Sequence, residues 1–167
     1  LGLAAPSGFG KTTFCKILAG YEQPDEGQVL LDGKPLSEYK GYCPVQLIWQ
    51  HPQEAVNPRR KMKTVLEEGG VLDERLIHGL GIEKEWMERY PGELSGGELQ
   101  RFCIARALGE KTSFLLADEI TAMLDLITQS QIWNFLLEEV RSREIGLVVV
   151  SHSEPLLQRI CTGRIQL

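Results

Sequence analysis

Three stretches of this 167-residue chain carry side chains suited to phosphate and water chemistry. The first is Ala5-Pro6-Ser7-Gly8-Phe9-Gly10-Lys11-Thr12-Thr13, which follows a short apolar run. Small residues there let backbone N–H groups turn inward around an anion. The pattern is GxxxxGK(S/T) with Ala5 in place of the first glycine. Gly8 and Gly10 supply the freedom, Lys11 is placed to reach β- and γ-phosphates, and the Thr12 hydroxyl is placed to ligate Mg²⁺. Ser7 and Thr13 complete this set of candidate nucleotide contacts. The second stretch is Glu93-Leu94-Ser95-Gly96-Gly97-Glu98-Leu99-Gln100-Arg101. Ser95, Gly96 and Gly97 leave N–H groups exposed just before a helix expected from about Glu98 to Leu108, and a helix N-terminus favours anions. The third runs from Ser113 to Glu119 and ends in two acids. Asp118 suits Mg²⁺ held mostly through water, and Glu119 suits activation of an attacking water. Phosphoryl transfer otherwise needs mainly positioning and charge neutralisation.

The elements that would hold these groups are legible as short apolar runs. Leu1–Ala4 reads as the end of a buried strand, and Thr13–Ala19 as a helix stopped by Gly20. Gln28–Leu31 reads as a strand closing in an Asp32-Gly33 turn. Val45–Trp49 is an apolar strand followed directly by Gln50; Gln46, inside it, is the alternative functional glutamine. Phe114–Ala117 and Gly146–Val150 read as buried strands, with Asp118-Glu119 and Ser151-His152 at their ends. Ligands of open α/β sheets gather at that edge. Ser153-Glu154-Pro155 signals a helix start, and Arg164–Leu167 a last strand. Residues 62–93 look mainly helical, broken at Gly69-Gly70 and at Gly79 to Gly81, with Ile82, Trp86, Met87 and Tyr90 packed under the serine-glycine stretch. Thr128–Arg143 reads as an amphipathic helix: Ile132, Phe135, Leu136 and Val140 face inward, Glu138, Glu139, Arg141 and Arg143 outward.

Composition bounds the alternatives. A hydrophobic content of 43% and a charged content of 25% fit one ordinary globular domain. The net charge of −5 argues against a general nucleic-acid binder. No run approaches the ~18 apolar residues of a membrane span, so a membrane role requires a spanning partner. Cys15, Cys43, Cys103 and Cys161 form no CxxC pair and read as reduced thiols. Arg59, Arg60, Lys61 and Lys63 form a basic cluster that reads as a solvated face.

Leu-Ser-Gly-Gly-Glu, together with the phosphate loop before it and the paired acids after it, resembles the signature of the ABC ATPases. The resemblance covers nearly the whole chain. It implies an α/β fold of the P-loop NTPase class: a mostly parallel sheet flanked by helices, with a small helical subdomain bearing the signature. The single domain would comprise a core of residues 1–49 and 109–167 and an arm of about 50–108. It would lack the family's preceding antiparallel strands and adenine-stacking aromatic, from which weak adenine affinity is expected. Gln50 matches the Q-loop, which touches Mg²⁺ and the attacking water. Asp125, in Thr121-Ala122-Met123-Leu124-Asp125, matches the D-loop, and His152 the switch histidine beside the γ-phosphate. In this family Ser95 and Gly97 of one cassette contact the ATP held by Lys11 of another, so a head-to-tail dimer with ATP and Mg²⁺ is implied. Gln50-His51-Pro52-Gln53-Glu54-Ala55-Val56-Asn57-Pro58-Arg59 is similar to a segment of the dipeptide, oligopeptide and nickel importer ATPases, with His51 in place of aspartate. The implied function is ATP hydrolysis that powers transport of a small solute through a membrane permease, on the cytoplasmic face of the membrane. A non-transport ABC ATPase acting on ribosomes, DNA or a metabolic complex is the alternative.

Overall fold

In the computed structural model, residues 1–4, 6, 8–70, 73–122 and 124–166 are described. Along the chain the strands are β1 (Gly2–Ala4), β2 (Leu30–Leu31), β3 (Lys34–Pro35), β4 (Val45–Ile48), β5 (Phe114–Asp118), β6 (Gly146–Val150) and β7 (Arg164–Gln166). The helices are α1 (Lys11–Leu18), α2 (Met62–Glu68), α3 (Glu74–Gly79), α4 (Gly96–Ala107), α5 (Leu126–Ser142) and α6 (Glu154–Ile160). Five strands form one sheet in the order β4-β5-β6-β1-β7, and every neighbouring pair is parallel. Because the strands run the same way, the residues that follow β1, β4, β5 and β6 all emerge at one edge.

Alternation along each strand divides the core in two. Val45 and Leu47, Leu116, and Val150 pack on one face with Leu3, Cys15 and Ala19. Ile48, Leu115 and Ala117, and Val149 pack on the other with residues of α2, α4, α5 and α6. Both faces are covered, as a parallel sheet requires. β2 and β3 form an antiparallel hairpin across Asp32 (φ 52°) and Gly33 (φ 76°). Positive φ at both central residues gives a turn whose twist matches its strands.

The region after Gln50 is less regular than its spacing predicts. Instead of long helices, the described residues of 62–93 form α2, α3 and two short 3-10 turns at Lys84–Glu88 and Pro91–Glu93. Ile82 is buried and Trp86 and Met87 are partly buried, but Tyr90, the cap of the second 3-10 turn, is exposed. The amphipathic helix also differs in detail. Trp133 takes the fully buried place, and Phe135 is half-buried against Gly79, where an added Cβ would lie 2.0 Å from the ring. Glu139 is not an outward residue but only 1% exposed. It is kept inside by a two-pronged pair with Arg75 of α3, at 2.7 and 3.0 Å. Arg143 turns inward as well and donates to the carbonyls of Leu108 and Gly109, 2.7 Å each, just past α4. All four cysteines are free thiols. Among the described residues, no helix is long and apolar enough to cross a membrane.

Candidate functional site

The loop after β1 turns on Gly8 (φ 82°) and Gly10 (φ 78°), both in the left-handed region that glycine tolerates. Gly10 caps α1 without a side-chain hydrogen bond, so the helix N-terminus faces the loop with no competing acceptor from its cap residue. Lys11 is the first helical residue; it is buried, and its Nζ donates to the Pro6 carbonyl at 3.0 Å. Thr12 Oγ1 donates to Asp118 Oδ2 at 2.6 Å, joining residues 106 apart in the chain. Thr13 is exposed on the next position of the helix. Ser7, like Ala5 and Met123, lies outside the described residues. One turn below, burial and then the charge of Asp118 push the Cys15 thiol up to about 12, so this cysteine serves packing rather than nucleophilic chemistry.

The ends of β4, β5 and β6 converge beside that loop. Asp118 is the last residue of β5 and is 3% exposed. Glu119 follows in a left-handed conformation (φ 48°), its N–H bound to the Val150 carbonyl at 3.0 Å. A non-glycine residue in that region is strained and is tolerated where the surroundings fix it. The Glu119 carboxylate meets residues that follow two neighbouring strands. Its Oε2 accepts Gln50 Nε2 at 3.2 Å, and its Oε1 lies 2.6 Å from His152 Nε2. A cavity of about 200 Å³ opens beside it, lined by Glu119, Thr121, Trp133, Ser151 and His152 among others. Gln46, the alternative glutamine, donates instead to its own strand's approach at the Cys43 carbonyl, 2.7 Å.

The serine-glycine stretch forms a second cluster. Ser95 is the N-cap of α4 and closes a reciprocal box: Glu98 N–H donates to Ser95 Oγ at 3.3 Å, and Ser95 N–H to Glu98 Oε2 at 2.7 Å. The helix therefore begins at Gly96, earlier than its apolar spacing suggests. Gly96 is exposed in its first turn, and Gly97 packs on Leu124, where a Cβ would lie 2.9 Å from Cδ2. Asp125, next to Leu124, caps α5 by accepting from the N–H groups of Ile127 and Thr128 at 3.0 Å. The bonds from Thr128 and Ile127 hold its carboxyl below the usual carboxylate range. Two residues here escape a motif reading. Gln100 of α4 is 3% exposed and donates to the Trp49 carbonyl at 3.2 Å. Thr121, also buried, accepts Trp133 Nε1 at 3.0 Å and so ties the loop after Glu119 to α5. For Gln100 the available signal is a polar residue set between the apolar Leu99 and Phe102 on a helix.

The first cluster therefore offers a cation and an open helix end to phosphates. It also offers a pair of hard oxygens to a divalent cation, and a carboxylate held at both oxygens as a base. Residues 1–122 match the family described as ABC transporter. The nickel import ATP-binding protein NikE of Rhodospirillum rubrum is 33% identical, covering 96% of this chain and 65% of its own length. The oligopeptide transport ATP-binding protein OppF of Streptococcus mutans is 30% identical, covering 95% of this chain and 58% of its own. The chain thus spans less than two thirds of either relative. The solved dimeric structure of MJ0796, a bacterial ABC transporter cassette, superposes with a TM-score of 0.82 at 26% identity, over 99% of this chain and 79% of that one.

Proposed function

The chain belongs to the ABC transporter family, and we propose on that premise that it binds and hydrolyses ATP to drive a small solute through a membrane-spanning partner. The observation that carries this reading is the convergence of Thr12, Asp118, Gln50, Glu119 and His152 at one sheet edge beside the phosphate loop. Lys11 and the N–H groups at the start of α1 hold the β- and γ-phosphates. Ser7 and Thr13 add hydroxyl contacts to the phosphates. Thr12 and Asp118 supply two hard oxygens that lie 2.6 Å apart and would hold Mg²⁺. When bound, Mg²⁺ neutralises phosphate charge. Glu119 takes the proton of the attacking water; Gln50 and His152 orient its carboxylate, and His152 stands ready for the γ-phosphate.

Ser95, Gly96 and Gly97 belong to a different ATP. They lie at the start of α4, and Gly97 abuts the loop that carries Asp125. Two copies, or this chain and a related cassette, would each complete the other's site. Residues 50–108 would act as an arm on a core of 1–49 and 109–167. The relatives' names, nickel import and oligopeptide transport, support a small solute of that kind and a permease at the inner face of the membrane.

The test is light scattering with Mg-ATP, alongside phosphate release. The natural chain should hydrolyse ATP and remain mostly monomeric, and Glu119→Gln should bind ATP, fail to hydrolyse it and form a dimer. A Glu119→Gln chain that hydrolyses at the natural rate refutes the assignment of the base.

A further inference from the structure

Gln100 is an expensive residue where it stands. It is 3% exposed, and its Oε1 is fully buried with no hydrogen-bond partner among the described residues. An apolar side chain of the same length would fill the place without stranding an acceptor. Its amide makes one bond: Nε2 donates to the Trp49 carbonyl at 3.2 Å. Trp49 is fixed from its other side too, with Lys16 Nζ 5.2 Å from its ring and Tyr21 edge-on at 5.3 Å. The next residue is Gln50, whose amide donates to Glu119.

We propose that Gln100 is a positioning residue for hydrolysis in its own chain. Through the Trp49 carbonyl it sets the end of β4 from which Gln50 reaches Glu119. Ser95 caps α4, so the helix that is capped by the signature serine also holds, little more than one turn on, the strand end that orients the base. A displacement of the signature by the neighbouring cassette's nucleotide is felt at Glu119 through two hydrogen bonds and one peptide unit. The inference rests on the ATPase reading above.

The test uses Gln100→Met, which keeps length and removes the amide, together with Gln50→Ala and the double variant. Gln100→Met should lower kcat about ten- to a hundredfold with KM for ATP unchanged, because misplacing a reacting group costs rate rather than binding. The double variant should be no slower than the slower single, since both act through one contact. Natural kcat in Gln100→Met, or losses that multiply, would overturn the proposal. Gln100→Asn, which keeps the amide but shortens its reach, should follow Gln100→Met. Amide hydrogen exchange gives an activity-free readout: Gln100→Met should exchange faster over residues 49–54 and normally over 114–118. Unchanged exchange at 49–54 overturns the inference. Absence of hydrolysis in the natural chain would strike the ATPase reading alone, leaving the exchange result to decide this one.

Discussion

Glu119 Oε1 and His152 Nε2 lie 2.6 Å apart, across the ends of two neighbouring parallel strands. With Gln50 on the other oxygen at 3.2 Å, the carboxylate is held at both ends, so it can take a proton without first finding its orientation. His152→Ala should lower kcat by about 10–10²-fold, toward the lower range for acid–base groups. Gln50→Ala combined with His152→Ala should lose less than the product of the two single losses, because both side chains hold one carboxylate. Phosphate-release kinetics on the three variants check this, and multiplied losses would separate the two roles.

Thr12 and Asp118 touch directly, and each is a hard oxygen donor. Asp118→Asn should bring ATP affinity in Mg²⁺ down to the value that the natural chain shows in EDTA. Titration calorimetry with and without the metal measures it. A variant that still binds tighter with Mg²⁺ than without would move the metal site elsewhere.

Ser95 has a structural duty besides any contact with nucleotide. Loss of the cap in Ser95→Ala should cost about 1 kcal/mol, or roughly 2–4 °C in Tm for a domain of this size. Ser95→Asp should keep the cap and the Tm while repelling phosphate. If it melts like the natural chain but fails to dimerise with ATP in a Glu119→Gln background, capping and nucleotide contact are separate functions of one hydroxyl.

Arg75 and Glu139 tie α3 to α5, and removing the cation alone strands a buried carboxylate. Arg75→Met should cost about 2 kcal/mol, less than a fully buried pair because the arginine side chain is 60% exposed. Arg75→Met with Glu139→Leu should recover most of that loss. Urea denaturation of both singles and the double gives the coupling, and additive losses would mean that the pair contributes nothing as a pair.

The strand ends were legible because each chemical residue follows an apolar run that can only be a buried strand. Asp118, Glu119, Gln50 and His152 all stand where that logic puts them. Ser95 was legible as well, but its box with Glu98 moves the helix start to Gly96, since capping is satisfied by local hydrogen bonds that apolar spacing ignores. Glu139 was not legible: in sequence it sits beside Glu138 and Arg141, and only Arg75, 64 residues earlier, makes its burial affordable. Residues 62–93 misled for a related reason. Leu66, Leu76 and Leu80 fill a core shared with the sheet face, so burial is met by short helices and 3-10 turns without long regular periodicity. The left-handed backbone at Glu119 had no signal either, because its residue type does not favour that conformation.

The sheet order places β1 between β6 and β7, so Gly2 and Leu3 pair with Val149 and Val150 on one side and with Arg164 and Ile165 on the other. Those partners follow Gly2 and Leu3 by 147 residues in β6 and by 162 in β7. At roughly 5–20 residues per second, the nascent phosphate loop waits on the order of ten seconds for the neighbours that anchor its strand. The strand that leads into the phosphate loop is therefore set into this sheet from both sides only after β7 has been made, so the loop takes its final shape late in synthesis.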